Sequence, residues 1–129
     1  MSGTMTLEED VENDLVLARF DGYVLNAPED VERWSSEISE RLARFGRKVD
    51  LLINLDGLRV SFAAGRAFGH ARKKVLDEYS RHSFRFGGDD MTRLFVNTSS
   101  MITGAAGNAF STREEALAAL RKVRNASGA

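Results

Sequence analysis

Short apolar runs and stretches of helical spacing alternate along this chain. Leu15 to Phe20, Leu-Val-Leu-Ala-Arg-Phe, has the length and apolar make-up of a strand. Asp21-Gly22 marks a turn before Tyr23-Val24-Leu25 resumes, so a strand or hairpin is predicted. Pro28 followed by Glu29 and Asp30 is helix-start chemistry: a ring already near the helical φ, then carboxylates at the positive end of the helix dipole. Val31, Trp34, Ile38, Leu42 and Phe45 then recur at intervals of three and four, which predicts one amphipathic helix stopped at Gly46. Val49 to Leu55 reads as a central strand with little solvent on either face. Ala64, Phe68, Ala71, Val75 and Tyr79 predict a second helix from about Phe62 to Ser80, with Arg66, Arg72, Lys73 and Lys74 on its opposite, exposed face.

His82 to Phe86 alternates like a strand and closes at Gly87-Gly88. After Asp89-Asp90, the residues Met91, Leu94, Phe95, Thr98 and Ile102 share one helical face, although Leu94-Phe95-Val96 alone has strand character. Asn108-Ala109-Phe110 suits a short strand, and Ser111 with Glu114 forms an S-x-x-E capping box before a helix that buries Ala116, Leu117, Leu120 and Val123. The order β(β)αβαβαβα makes this an α/β protein, a sheet with helices packed on it. The expected organisation is an acidic tail over residues 1–13, one domain over 14–124 and a frayed end over 125–129.

Composition narrows the function. The 129 residues suffice for one domain with its own core, and the absence of Cys removes thiol catalysis, disulfides and thiolate metal sites together. The opening residues resemble neither a secretory nor an organellar signal and no run is apolar enough to span a membrane, so the cytoplasm is the expected compartment. The net charge of -1 argues against a nucleic-acid binder. That charge is unevenly spread: residues 1–40 hold eleven acidic and two basic side chains, residues 41–85 eleven basic and four acidic. Two readings stand, mutual neutralisation between the first two helices or a bipolar surface that orients a partner.

The apolar strand followed by Asn54-Leu55-Asp56-Gly57-Leu58-Arg59-Val60, then small residues and Gly65 opening a helix, resembles the STAS domains of anti-sigma-factor antagonists. The family's run there is Asp-Leu-Ser-Gly-Val, three residues, then Asp-Ser-Ser-Gly. Here Asn54 stands for the first Asp, Asp56 for the first Ser and Phe62 for the second Asp, while Ala63 and Ala64 stand for the two Ser and Gly65 matches. Phe86-Gly87-Gly88-Asp89 and Phe110 to Leu117 look like the SpoIIAA-like and SEC14-like branch, and the resemblance runs from about Leu15 to Val123. It implies a STAS-like fold, a mixed central sheet of about four to five strands with about four helices. It also implies a protein partner, such as a regulatory kinase or an anti-sigma factor. In the family's signalling members a Ser at this helix start is phosphorylated, adding charge of about -1.5 to -2. Ala63 has no hydroxyl, so the switch is not expected here. The nearest hydroxyl, Ser61, reads first as a helix N-cap.

The resemblance places the partner-binding face at Asp56, Arg59, Ser61, Ala63, Ala64, Gly65 and Arg66, with Arg72, Lys73 and Lys74 along the basic helix face. Gly65 and Gly69 would let a neighbouring backbone approach closely, within the domain or across an interface. No catalytic residue, cofactor or metal is expected. His70 and His82 match no zinc spacing, and no phosphate-binding or nucleophile-elbow motif is present. Gly87-Gly88-Asp89-Asp90 is ordinary turn and N-cap chemistry. A triad of Ser61, His70 and Asp56 has little support. The alternative to a protein-binding module is a SEC14-like carrier of a small molecule or lipid, which needs an apolar cavity lined by residues such as Phe68, Phe84, Phe86, Phe95 and Met101.

Overall fold

The apolar runs become strands of one twisted sheet. A computed structural model describes the backbone of residues 3–103 and 109–128 and the side chains of 3–98 and 109–126. In chain order the elements are β1 (Thr4–Asp10), β2 (Leu15–Asp21), β3 (Tyr23–Leu25), α1 (Pro28–Ala43), β4 (Val49–Asn54), β5 (Leu58–Val60), α2 (Phe62–Tyr79), β6 (Ser80–Phe86), α3 (Asp90–Thr103), β7 (Ala109–Phe110) and α4 (Arg113–Gly128). Five strands form the main sheet in the order β1-β2-β4-β6-β7. β1 runs antiparallel to β2, and the other neighbours are parallel.

β4 lies in the middle, as its apolar run requires, and its side chains alternate between two cores. Val49, Leu51 and Ile53 join Val31, Trp34, Ile38 and Leu42 of α1, Phe68 and Val75 of α2 and Val96 of α3. Leu52 points the other way, to Leu15, Phe84, Phe86 and Ala116 and Leu120 of α4. Helices α1, α2 and α3 therefore cover one face and α4 the other.

Several expectations are corrected. Residues 4–10 are not a tail but the edge strand β1, paired along its full length with β2. Met5 is its one fully buried apolar side chain, and Glu8 and Glu9 are held from outside by Arg19 and Arg47, at 2.7 and 3.2 Å. Charged residues are usual on such an edge, which explains why the segment looked like a tail. The Asp21-Gly22 turn does not make a hairpin: β3 leaves the main sheet and pairs in parallel with β5. The last helix is capped one residue later than the S-x-x-E pattern suggests. Glu115 N–H donates to Thr112 Oγ1 at 3.2 Å, and Thr112 N–H donates to Glu115 Oε1 at 3.1 Å. Its helical backbone continues to Gly128, well into the stretch expected to fray.

The α3 helix forms as expected but is rotated. Thr92 and Val96 face inward while Met91 and Leu94 are 56% and 58% exposed. The side chain of Ile102, expected on the same face, and Asn108, expected in the last strand, lie outside the described residues. Among the described residues no helix is long and apolar enough to cross a membrane.

Candidate functional site

The segment singled out in the sequence lies where β4 ends. Leu55 N–H donates to Phe86 O at 2.8 Å, and the chain then turns through Asp56-Gly57 into β5. Gly57 has φ +81°, and a Cβ there would sit 2.3 Å from the Phe20 carbonyl oxygen, so the turn admits glycine alone without rearrangement. Its own carbonyl accepts from Tyr23 N–H at 2.9 Å, which begins the β3–β5 ladder. That small sheet delivers the chain to Ser61, whose N–H donates to Leu25 O at 2.9 Å.

Ser61 is the N-cap of α2. Its Oγ accepts from Ala64 N–H at 3.3 Å and donates to Asn26 O at 3.0 Å, tying the start of α2 to the segment that leads into α1. Asp56 does similar work on the other side: its N–H donates to Asn54 Oδ1 at 2.9 Å, and its Oδ1 accepts from Gly88 N–H at 2.7 Å. Asp89 caps α3 by accepting from Thr92 N–H at 2.7 Å. Hydrogen bonding to Thr92 holds the Asp89 carboxyl below its usual range, helped by the positive charges of Arg59 and Arg93. Arg93 in turn donates to the carbonyls of Gly87 and Gly88 at 3.0 and 2.8 Å. The loop after β4, the loop after β6 and the first turns of α2 and α3 are thus fastened together at one end of the sheet, around an open cleft of about 310 Å³ lined in part by Val24, Asp56, Arg59 and Asp89.

The expected site residues divide into three groups. Asp56, Arg59, Ala63 and Arg66 are exposed on this end, and Ser61 is half-buried as a cap. Ala64 and Gly65 are interior, and a Cβ on Gly65 would lie 3.2 Å from the Phe95 ring, so its smallness serves the contact between α2 and α3. The basic face is the third group, and it is not one face. Arg72 is only 3% exposed and donates toward Val96 O at 3.5 Å; burial pushes its guanidinium down to about 10, which still leaves it cationic at neutral pH. Helical spacing put Arg72 beside Lys73, but one residue is a rotation of about 100°, enough to move a side chain from solvent to core. Lys73 pairs with Asp77 at 2.9 Å, and Lys74 faces the groove between α1 and α2, together with His70.

Sequence reasoning missed Phe62. It is 89% exposed at the first turn of α2, where the resembling family has an Asp, and its ring meets that of Phe95 edge-on at 6.3 Å between centroids. A large aromatic beside Ala63-Ala64 was the available signal, and it was absorbed into the motif alignment.

The triad weighed from the sequence, Ser61, His70 and Asp56, does not come together. The Ser61 hydroxyl and the Asp56 carboxylate are committed to different backbone groups, and His70 faces α1 from farther along α2. The apolar cavity needed by a carrier does not gather its expected residues either. Phe68 belongs to the core under α1 and α2, Phe84 and Phe86 to the core under α4, and the side chain of Met101 lies outside the described residues. The pocket beside Phe68 has about 20 Å³ of free space, room for about one water.

Comparison with solved structures supplies the frame for these observations. An uncharacterized protein of the DUF3478 family with a SpoIIAA-like fold, from Shewanella loihica PV-4, superposes with a TM-score of 0.55 at 17% identity, covering 92% of this chain and 93% of that one. The fold is SpoIIAA-like. The Bacillus cell fate determinant SpoIIAA in its phosphorylated form gives a TM-score of 0.53 at 19% identity over 94% of this chain and all of that one. The anti-sigma factor antagonist SpoIIAA in its unphosphorylated form gives 0.56 at 20% over 92% and 97%. No family model matches the sequence, and no curated protein matches it. The likeness is one of architecture, and a SpoIIAA-like fold presents the start of α2 at the end of the sheet where Asp56, Arg59, Ala63 and Arg66 gather.

Proposed function

We propose that this domain is a non-enzymatic regulatory module that binds a protein partner through the 56–65 segment and the exposed start of α2. The observation that carries the reading is the solvent-open, rigidly fastened N-terminus of α2. Ala63 and Phe62 project from it, Arg59 and Arg66 flank it, and Ser61 and Asp56 fix it to two neighbouring loops. A preformed surface of this kind loses little conformational freedom on binding. SpoIIAA, an anti-sigma factor antagonist of the same fold, occurs in phosphorylated and unphosphorylated forms. In this chain Ala63 replaces the acceptor, and the Ser61 hydroxyl is occupied as a cap, so binding is governed by something other than a phosphoserine at this turn. Arg72 drops out of the binding face, and the partner belongs to the class of regulatory kinases or anti-sigma factors.

The test is affinity capture from native cell extract, comparing wild type with Arg59→Glu combined with Ala63→Gln, two changes confined to exposed positions. A protein retained by wild type and lost by the variant is the expected result. Equal capture by a variant with an unchanged melting temperature would remove the face from consideration.

A further inference from the structure

Among the described residues the exposed large apolar side chains are Val11, Phe62, Met91 and Leu94, and three of these four sit at one end of the molecule. Met91, Leu94 and Phe95 are neighbours on α3 by their spacing of three and four. Phe95 touches both Phe62 and the Gly65 position of α2, so the apolar surface runs unbroken from α3 onto the first turn of α2. A concentration of this kind on an otherwise charged chain marks an interaction surface. Its rim is polar and unequal. On the α2 side Arg66, one turn beyond Phe62, has no carboxylate partner among the described residues. On the α3 side Asp90 is already paired with Arg93 at 2.5 Å, and Asp89 is committed to capping.

We infer that the apolar surface of Phe62, Met91, Leu94 and Phe95, with the unpaired Arg66 at its edge, docks an amphipathic helix of a partner protein that carries a carboxylate beside its apolar face. The inference rests on the protein-binding reading above and extends the face from α2 onto α3. A helix presents apolar side chains three and four apart, which matches a surface built from residues so spaced on α3. A carboxylate next to that row finds in Arg66 a planar, always charged donor with free hydrogen-bonding capacity. Arg59 and Arg66 are too few exposed cations for an anionic lipid surface, which recruits clusters of about four to eight, and a single carboxylate needs only one; a protein helix is therefore the occupant of choice.

The experiment titrates isotope-labelled full-length protein with two synthetic helical peptides that share a row of Leu and differ only in flanking Glu or Lys. The expected result is that the Glu peptide shifts the signals of Phe62, Arg66, Met91 and Leu94 and binds at least about tenfold more tightly than the Lys peptide, a difference of about 1.4 kcal/mol. Arg66→Glu should reverse the preference, and Met91→Ser with Leu94→Ser should weaken the Glu peptide while the melting temperature holds. Equal binding of the two peptides, or shifts elsewhere on the molecule, would overturn the inference. So would sedimentation with mixed phosphatidylcholine and phosphatidylserine vesicles, or self-association by sedimentation velocity, if either is abolished by Leu94→Ser. Capture of the native partner separates the two levels. If it survives Met91→Ser with Leu94→Ser but is lost in Arg59→Glu with Ala63→Gln, the α2 face stands and its extension to α3 fails; if it survives both, the face itself is wrong.

Discussion

At the scale of single residues, burial decides what each side chain does. Ile38, Leu42 and Ile53 are interior as their spacing requires, and truncating Ile53 to Ala should lower unfolding free energy by about 2 to 5 kcal/mol in a denaturant titration. Arg72 and Lys74 stand two positions apart on one helix and face opposite fates. Arg72→Ala removes a buried side chain from the core and should cost on the order of 2 kcal/mol, whereas Lys74→Glu at an exposed position should change stability by less than about 0.5 kcal/mol. Arg85 is buried still more completely, and burial together with the nearby Arg72 charge holds its guanidinium well below the usual range. Asp89 gives the pH dependence. Its folded-state pKa lies below the unfolded value of about 3.9, so its capping bond stabilises the fold fully above that pH and is lost as pH falls through the folded value. The melting temperature should therefore drop below about pH 4, and Asp89→Asn should flatten that acid limb; Asp10, held low chiefly by Asn13, keeps the limb from vanishing.

At the scale of elements, the periodic patterns located the helices and strands well and their exposed faces less well. The first helix buries Val31, Trp34, Ile38 and Leu42 as its spacing named, while Phe45, the fifth of that set, lies beyond the helix end at Ala43 and is half-buried. The α3 helix buries Thr92 and Val96 where Met91 and Leu94 were expected, because its inner face is set by α2 and β5 and not by its own most apolar stripe. That rotation is what leaves an apolar surface beside α2. The short β3–β5 sheet was illegible: three-residue strands carry too little pattern, and their pairing depends on Gly57 passing against the Phe20 carbonyl. Gly57→Ala should destabilise the fold by at least about 1 kcal/mol through backbone strain alone, and by thermal melting should rank above substitution of the glycines that have open space around them.

For the whole molecule, the two-faced sheet makes the outermost elements structural. Arg124 near the end of α4 donates through Nε to Asp50 Oδ2 at 2.9 Å and through Nη1 to Asn13 O at 2.7 Å, joining the last helix to the central strand and to the β1–β2 turn. Deleting residues 1–11 should lower the melting temperature by several degrees, since it strips β1 from β2 and uncovers part of the core beneath α1. Removal of a true tail would leave the melting temperature unchanged, so one calorimetric comparison distinguishes the two descriptions. The charge asymmetry resolves in part at this scale as well. Glu9–Arg47 and Asp14–Arg81 join acidic early residues to basic later ones, while Arg66 and Lys74 stay without carboxylate partners among the described residues.

The sequence by itself determined the class of fold, the main helices, the central strand and the absence of a hydroxyl at Ala63, because these depend on local period and residue identity. Only the tertiary structure decided that residues 4–10 are a strand, that Arg72 is interior and that Phe62, Met91 and Leu94 share an exposed surface. Those outcomes depend on which elements meet, and the rotation of a helix about its axis is fixed by its neighbours.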